Sequence, residues 1–192
     1  MIPASTLRMD KSLKDFLFGR IPLVEERQDW GGGGTELLQT RATFSLAPSD
    51  SPPSGLVTSV RALLTRGSQI LVVRDPEGEH ILPGGRVDEG EGLLEALERE
   101  LLEETGWSVR GVPVLIGLFH FHIHSPRPAG YGYPYPDFLQ LVYRAEAGRH
   151  IPEAMEDDGY ELGAEFRTLA AVQQQSLSKG EVALLQLLRR TR

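Results

Sequence analysis

The sequence between residues 82 and 107, LPGGRVDEGEGLLEALERELLEETGW, carries the most structural information in the chain. Leucines recur there at helical spacing, so that side chains such as Leu97 and Leu101 fall on one side of a helix. Gly106 follows, at a position where glycine commonly ends a helix in a left-handed conformation. We therefore expect an amphipathic helix over residues 93–105.

The polar side of this helix carries carboxylates that crowd near its C-terminal end. Glu100, Glu103 and Glu104 project within an arc of roughly 100°. Like charges at spacings of three and four residues weaken a helix, and the negative end of the helix dipole disfavours anions. A helix with several glutamates is most often only a solvated surface. A bound cation would remove both unfavourable effects here, and the Gly84-Gly85 turn just upstream favours a metal site.

The chemistry of this cluster indicates which cation to expect. Carboxylate oxygens without histidine or cysteine favour Mg²⁺, or Mn²⁺, over zinc. Gly85 has no side chain, so its backbone can approach the cation closely and turn a carbonyl oxygen toward it. Mg²⁺ bridges carboxylates to substrate phosphates, polarises phosphoryl oxygens and lowers the pKa of a bound water. The cluster therefore predicts metal-assisted hydrolysis at phosphorus, with the base assigned to the glutamates as a coupled set.

The same stretch resembles the signature of the Nudix hydrolase family. That signature is a glycine, five residues, a glutamate, seven residues, Arg-Glu, an apolar residue, any residue, Glu-Glu, any residue, a glycine and an apolar residue. All of its specified positions are filled here, by Gly85, Glu91, Arg99, Glu100, Leu101, Glu103, Glu104, Gly106 and Trp107. Trp107 is larger than the aliphatic residue usual at its position, and Gly92 replaces a common serine or threonine. We expect the first departure to change packing and the second to weaken the helix start.

The resemblance implies a fold and an activity. The implied fold is an α/β/α sandwich with a mixed β-sheet, and the predicted order of strands, helix, strands and helix also indicates a mixed α/β sandwich. Residues 56–192 would form the Nudix hydrolase domain, and residues 1–55 a small N-terminal extension that is either part of the same domain or flexible. The implied activity is Mg²⁺-dependent hydrolysis of a diphosphate linkage in a nucleoside diphosphate derivative or a nucleoside triphosphate.

The resemblance also implies roles for individual residues. By matching position, the three crowded glutamates would be catalytic metal ligands, and the carbonyl oxygen of Gly85 a further ligand. Arg99 and Glu91 would orient the glutamates or a metal-bound water. Members of the family often recruit another acid from a later loop, for which the candidates are Glu156, Asp157, Asp158 and Glu161. We prefer Glu161 because it precedes a predicted strand, although a solvated acidic loop is the alternative.

Hydrophobic patterns predict the remaining elements of the domain. Strands are expected over residues 35–45, 60–65, 70–73, 80–82, 109–123 and 137–145. A turn at residues 66–68 should join two of these strands as a hairpin. The last helix opens with a capping box between Ser178 and Glu181.

Two aromatic or imidazole clusters lie downstream of the signature. His120, His122 and His124 alternate with apolar residues and so share one strand face, which is explained most simply as a solvated polar face and otherwise as a site near the substrate. The loop with Tyr131, Tyr133 and Tyr135 could stack on a nucleobase, cover part of the core or lie in a dimer interface. The candidate substrate-binding residues are Arg86, His122 and Tyr133.

Composition limits the classes of partner and the compartment. The chain of 192 residues has a net charge of −7, with 20 Lys and Arg against 27 Asp and Glu, so we expect no nucleic-acid partner. It has no cysteine, which excludes disulfides and thiolate metal sites. No run of about 20 apolar residues occurs, so we expect no membrane span and a cytoplasmic location.

The favoured hypothesis is therefore a Mg²⁺-dependent pyrophosphohydrolase that acts on a small nucleotide. The alternative is a catalytically weak Nudix-like module for ligand sensing or protein interaction, although such a module has no need for an unfavourable acid cluster. Sequence markers of particular substrate subclasses are absent downstream of Gly106, so the nucleotide is left open. The sequence also allows a homodimer.

Overall fold

The computed structural model describes residues 9–30, 37–47, 50–156 and 160–190. These residues form one eight-stranded sheet with helices packed on it. The strands are β1 (Val24–Trp30), β2 (Leu38–Leu46), β3 (Val57–Arg66), β4 (Gln69–Asp75), β5 (Gly78–His80), β6 (Trp107–Ile123), β7 (Asp137–His150) and β8 (Gly163–Thr168). The helices are α1 (Lys11–Leu17), α2 (Leu93–Thr105), α3 (Leu169–Val172) and α4 (Lys179–Arg190), with 3₁₀ turns at Ser54–Leu56 and Pro152–Ala154.

The sheet is mixed. Its strand order is β1-β2-β6-β7-β3-β4-β5, and β8 pairs with β4. β3 and β7 pair in parallel, whereas the other pairs between the named strands are antiparallel. Helices cover both faces, so the predicted α/β/α sandwich with a mixed sheet is confirmed.

Two apolar layers lie on the two faces of the sheet. On one face, Leu13 of α1 and Leu97 and Leu101 of α2 pack against side chains such as Leu139 of β7. On the other face, Leu184 and Leu185 of α4 pack in the second layer, which contains a group of phenylalanines. Those phenylalanines are Phe44, Phe119, Phe121 and Phe138. Each helix thus covers a sheet face that would otherwise expose apolar side chains to water.

The glycine turn before α2 is held against the middle of the sheet. β3 and β4 pair only at the two residues next to their turn, and the chain beyond β5 then returns beside β3. There, the backbone N–H of Val60 donates to the carbonyl of Gly85 at 2.9 Å, and that of Ala62 donates to Pro83 at 2.9 Å. The N–H of Val87 also donates to the carbonyl of Thr58 at 3.1 Å. These bonds fix the glycine turn in register with β3.

The described part of residues 1–55 lies on the same sheet as the rest of the chain. β1 and β2 extend the sheet beyond β6, and Leu13 and Phe16 of α1 are buried in the first apolar layer. Asp10 caps α1 by accepting hydrogen bonds from backbone N–H groups, including that of Ser12 at 2.8 Å. We propose that residues 1–55 and residues 56–192 act as one domain.

Several element boundaries differ from those expected. β1 was not predicted, because its sequence VEERQDW is mostly polar, as is common for a strand at the edge of a sheet. β6 begins at Trp107, and β7 continues to His150, five residues beyond the predicted end. The short strand expected over residues 80–82 is wrong in position, since β5 spans Gly78–His80.

The packing of α1 generates a stability prediction. Leu13 is fully buried, so Leu13→Ala should lower the free energy of unfolding of the whole domain by about 2–5 kcal/mol through lost burial and a residual cavity. Phe18, which is 88% exposed, is the control, and Phe18→Ala should change stability little. Urea unfolding followed by circular dichroism measures both variants. An unchanged midpoint for Leu13→Ala would show that α1 contributes nothing to the domain.

Candidate active site

The crowded glutamates lie in the last two turns of α2. Gly106 ends this helix in the left-handed region, with φ of 68°, and its N–H donates to the carbonyl of Leu102 at 2.9 Å. Leu97 and Leu101 are fully buried on the opposite side of the helix. The helix is therefore anchored by its apolar side, and Glu100, Glu103 and Glu104 are left partly buried at the boundary between the core and solvent.

Arg99 forms hydrogen bonds with three of the predicted acidic residues. Its guanidinium forms a two-pronged pair with Glu91, at 2.8 and 2.9 Å, and its third nitrogen donates to Glu100 at 3.0 Å and Glu103 at 2.9 Å. It also donates to the backbone carbonyl of Arg86 at 3.0 Å. The hydrogen bond from Arg99 lowers the pKa of Glu91 to about 2. Arg99 thus bonds to Glu91, Glu100 and Glu103 together, and the orienting role expected for Arg99 and Glu91 stays a prediction.

Glu104 is held from a different side. The backbone N–H of Gly84 donates to its carboxylate at 2.6 Å, and Arg61 of β3 approaches the other oxygen at 3.8 Å. Arg61 also donates a short hydrogen bond to the carbonyl of Gly84. Burial raises the pKa of Glu104 to about 7, and the charges of Glu100 and Glu161 act in the same direction against Arg61. Burial likewise raises the pKa of Glu100, although Arg99 opposes it.

These residues fit a hard divalent cation. A side chain at Gly85 would collide with the carboxylate of Glu100 where it now lies, so glycine allows this backbone and this carboxylate to approach closely. The Gly85 carbonyl accepts one hydrogen bond from Val60, which leaves its second lone pair for another partner. Among the described residues, no three acidic or histidine side chains already converge as a ligand set. The all-oxygen donors nevertheless match Mg²⁺ or Mn²⁺ and not a softer metal.

A cleft of about 500 Å³ opens beside Glu104. Arg61 and Glu161 also line it, together with Phe119, Phe121 and Gln140 from the sheet. The sheet thereby supplies an apolar floor and an amide, while the rim beside the glutamates is acidic. The cleft is large enough to take one part of a nucleotide, since ligand pockets typically measure about 300–1,000 Å³.

The described candidates among the acidic residues that follow the signature in sequence differ in their position relative to the cleft. Glu161 lines the cleft beside Glu104 and acts on its pKa. The side chain of Glu156 is exposed, and its backbone N–H donates to the carbonyl of Glu103 at 2.9 Å, near the end of α2. Asp157 and Asp158 lie outside the described residues. The metal-ligand role of Glu161 stays a prediction, which its position beside Glu104 supports.

The three candidate substrate-binding residues do not come together. The guanidinium of Arg86 lies 4.7 Å from the centre of the Tyr133 ring, so these two residues form one contact. Neither is among the described residues that line the cleft beside Glu104. His122 lies on the sheet face opposite to Phe119 and Phe121, which face the cleft. The role of His122 in substrate binding therefore gains no support from its position.

The sequence predicts that His120 lies on a solvated strand face. This prediction is wrong, because His120 is only 4% exposed. His120 Nε2 and His122 Nδ1 both lie 2.8 Å from the same oxygen of the buried Asp137. The ring of His124 packs against that of His122, with centroids 4.9 Å apart. The cause is the pairing of β6 with β7, which sets Asp137 directly opposite His122.

Arg61 lies in the candidate active site, although no sequence motif indicates it. It is a charged residue inside a strongly apolar run, Val60-Arg61-Ala62-Leu63-Leu64, which was a signal that it has a partner in the interior. That partner could not be named from the sequence, since the contact with Glu104 depends on the return of the glycine turn beside β3.

The comparison with protein-family models identifies the chain. A model described as the NUDIX domain matches residues 55–188. The chain belongs to the Nudix family. The fold and the hydrolase class predicted from the signature are confirmed by this membership. Members of the family generally use divalent metals and act on small nucleotides.

Several solved structures resemble this Nudix chain. A NUDIX hydrolase from Nitrosomonas europaea is 24% identical, with 62% of this chain and 77% of that chain covered and a TM-score of 0.47. A pyrophosphohydrolase from Bacillus subtilis is 21% identical, with coverages of 66% and 72% and a TM-score of 0.49. A MutT NUDIX hydrolase from Burkholderia pseudomallei is 20% identical, with coverages of 67% and 94% and a TM-score of 0.47. No curated protein sequence matches the chain.

None of the described helices has the length and apolar content that a membrane-spanning helix requires.

The Arg99 network generates a second stability prediction. Arg99→Gln removes the cation that separates Glu91, Glu100 and Glu103, so in metal-free buffer it should lower the free energy of unfolding by about 1–3 kcal/mol. Arg110→Gln is the matched control, because Arg110 pairs with Glu146 at 3.1 Å but is 72% exposed. The control should cost less than about 1 kcal/mol. Equal losses in the two variants, measured by chemical denaturation, would contradict a special role for Arg99.

Proposed function

We propose that this Nudix protein hydrolyses a diphosphate linkage in a nucleoside diphosphate derivative or nucleoside triphosphate, with Mg²⁺ or Mn²⁺ as cofactor. The observation that carries the proposal is the contact of Glu100 and Glu104 with the Gly84-Gly85 turn, with Glu103 held beside Glu100 by Arg99. Carboxylates and a backbone carbonyl are hard oxygen donors, which Mg²⁺ prefers.

The protein residues divide into ligands and orienting groups. The three glutamates and the Gly85 carbonyl would hold the metal, and Glu161 would add a carboxylate from the edge of the cleft. Arg99 and Glu91 keep Glu100 and Glu103 in fixed rotamers. When bound, the metal would polarise a phosphoryl oxygen and lower the pKa of a water molecule. A carboxylate of the cluster would accept a proton from the attacking water. The attack of this water on phosphorus would cleave one phosphoanhydride bond and release two phosphorylated products.

Two recognition regions flank the proposed metal site. Glu104 faces the cleft with Phe119, Phe121 and Gln140. On the other side, Arg99 bonds to the backbone of Arg86, whose side chain stacks on Tyr133. A diphosphate lying over the glutamates could therefore place one group in the cleft and the other against Tyr133. This arrangement supports a substrate with substituents at both ends of the diphosphate.

The catalytic assignment has a direct test. Glu103→Gln should lower kcat by orders of magnitude in the presence of Mg²⁺, because it removes a charged ligand and keeps the size of the side chain. Glu98→Gln, on the same helix but exposed, is the matched control and should retain activity within about twofold. The measurement is phosphate release from a panel of nucleoside diphosphate derivatives and triphosphates, with and without Mg²⁺.

Two outcomes would contradict this function. Full activity of Glu103→Gln would exclude the metal-ligand assignment. An absence of turnover in the wild-type protein on the whole panel, together with nucleotide binding that does not need Mg²⁺, would favour a sensing or interaction module.

The contact between Arg86 and Tyr133 leads to a prediction on substrate affinity. Tyr133→Leu removes the aromatic face and should raise KM by about tenfold with little change in kcat, because stacking contributes to ground-state binding. Tyr133→Phe keeps the ring and should preserve KM. Steady-state kinetics on the best substrate of the panel separates the two cases, and equal KM values for the three proteins would remove Tyr133 from the binding site.

The cytoplasmic location, the lack of a nucleic-acid partner and the homodimer that the sequence allows stay predictions.

A further inference from the structure

A group of basic residues lies on the sheet face opposite to the cleft. Antiparallel pairing sets Arg27 of β1 directly opposite Arg41 of β2, and Arg41 directly opposite His122 of β6. Directly opposed residues share a face, so these side chains form a row across three strands. His124 lies two residues beyond His122 and shares its face. We call Arg27, Arg41, His122 and His124 the basic patch.

The two arginines of the basic patch have no partner within the described part of the chain. Like charges directly opposite on a sheet are unfavourable, yet neither guanidinium forms an ion pair or hydrogen bond with a described residue. The Nε of Arg41 is in addition buried without a hydrogen-bond acceptor. A buried donor that is left without an acceptor destabilises the fold. In a chain with 27 acidic residues, this pairing of two free arginines indicates an acceptor that the described chain does not supply.

The described acidic side chains on the same sheet face do not pair with Arg27 or Arg41. Glu25 and Asp29 share the face of Arg27 and are exposed, and within the described residues neither is paired with an arginine. Asp137 is buried and already accepts from His120 and His122. Burial alone would raise the pKa of Asp137, but the hydrogen bonds and the charges of His120 and His122 together lower it. Asp137 is therefore an ionised acceptor that orients the histidines and leaves the arginines free.

The orientation of His122 makes it a suitable member of an anion site. Because its Nδ1 donates to the carboxylate of Asp137, the ring is fixed and Nε2 is left for another partner. Arg41 also lines a groove of about 310 Å³ between α1 and the sheet, together with Lys14, Arg20 and Glu25, and Arg20 is paired with Asp50. Desolvation, together with the charges of His122, Arg41 and Arg27, lowers the pKa of His124.

We propose that the basic patch binds an oxyanion of the phosphate class, at a site separate from the active site. Guanidinium groups suit such an anion because their donors match pairs of phosphate oxygens, and the imidazole of His122 supplies a further donor when protonated. The anion would lie between the guanidinium groups of Arg27 and Arg41 and separate their charges. Its source is either free inorganic phosphate or the phosphate group of a nucleoside monophosphate.

The test uses the full chain with Mg²⁺ present and follows the imidazole NMR signals of His122 and His124, which report locally on the basic patch. Inorganic phosphate is titrated at constant ionic strength, with sodium chloride as the reference titration. We expect saturable shifts of both signals with phosphate and none with chloride. Shifts that grow linearly with phosphate, or that chloride reproduces, would overturn the proposal.

Matched variants locate the binding. Arg41→Gln should weaken phosphate binding by about tenfold or more, since it removes a charged donor. Arg27→Gln should also weaken it, and because Arg27 is exposed this variant tests the site with the core intact. Arg149→Gln, an exposed arginine on β7, is the control and should bind phosphate as the wild-type protein does. Unchanged affinity in both patch variants would overturn the site.

A second probe distinguishes the two sources of the anion. Adenosine 5′-monophosphate that binds more tightly than inorganic phosphate, with the same dependence on Arg41, would support a nucleotide ligand. Inorganic phosphate that binds more tightly than the nucleotide, with that same dependence, would support free phosphate. Binding of either probe that is insensitive to Arg41→Gln contradicts the proposal.

Discussion

The candidate active site depends on the contact between the acidic end of α2 and the glycine turn. Glu104 accepts the N–H of Gly84, and the carboxylate of Glu100 lies where a side chain at Gly85 would otherwise be. A side chain at Gly84 would meet the backbone of Val60 in β3. The turn therefore lies between β3 and α2, and Gly84, with its positive φ and its contact with the β3 backbone, is the position that requires glycine. The contact with α2 brings two carboxylates of that helix against the backbone of the turn.

Local features of the site were predictable from the sequence because they depend on nearby residues. The leucine spacing set the bounds of α2, Gly106 ended it, and the Ser178–Glu181 capping box formed as expected, with the N–H of Ser178 donating to Glu181 at 2.9 Å. The second carboxylate oxygen of Glu181 accepts the N–H of Ile81 at 2.8 Å, which no local rule would indicate. Sequence spacing thus specified each element, but not how the elements meet.

The missed features all depend on long-range register. Asp137 is separated from His120 and His122 by the tyrosine-rich loop, and their contact requires the pairing of β6 with β7, which contains several register shifts. A polar pattern alone could not distinguish this buried cluster from a solvated strand face. Arg61 reaches Glu104 only because the turn returns beside β3. Both sets of contacts place charged groups in the interior, where each must find a specific partner.

Strand alternation places different side chains on the two faces of the sheet. On β6, Phe119 and Phe121 face the cleft beside the glutamates, whereas His120 and His122 face away from it. On β2, Arg41 lies on the second face, and its neighbour Ala42 lines the cleft. An anion on the second face would offset the unfavourable opposition of Arg27 and Arg41. Because the same strands build both faces, a one-residue slip in their register would exchange the side chains that line the cleft with those of the basic patch.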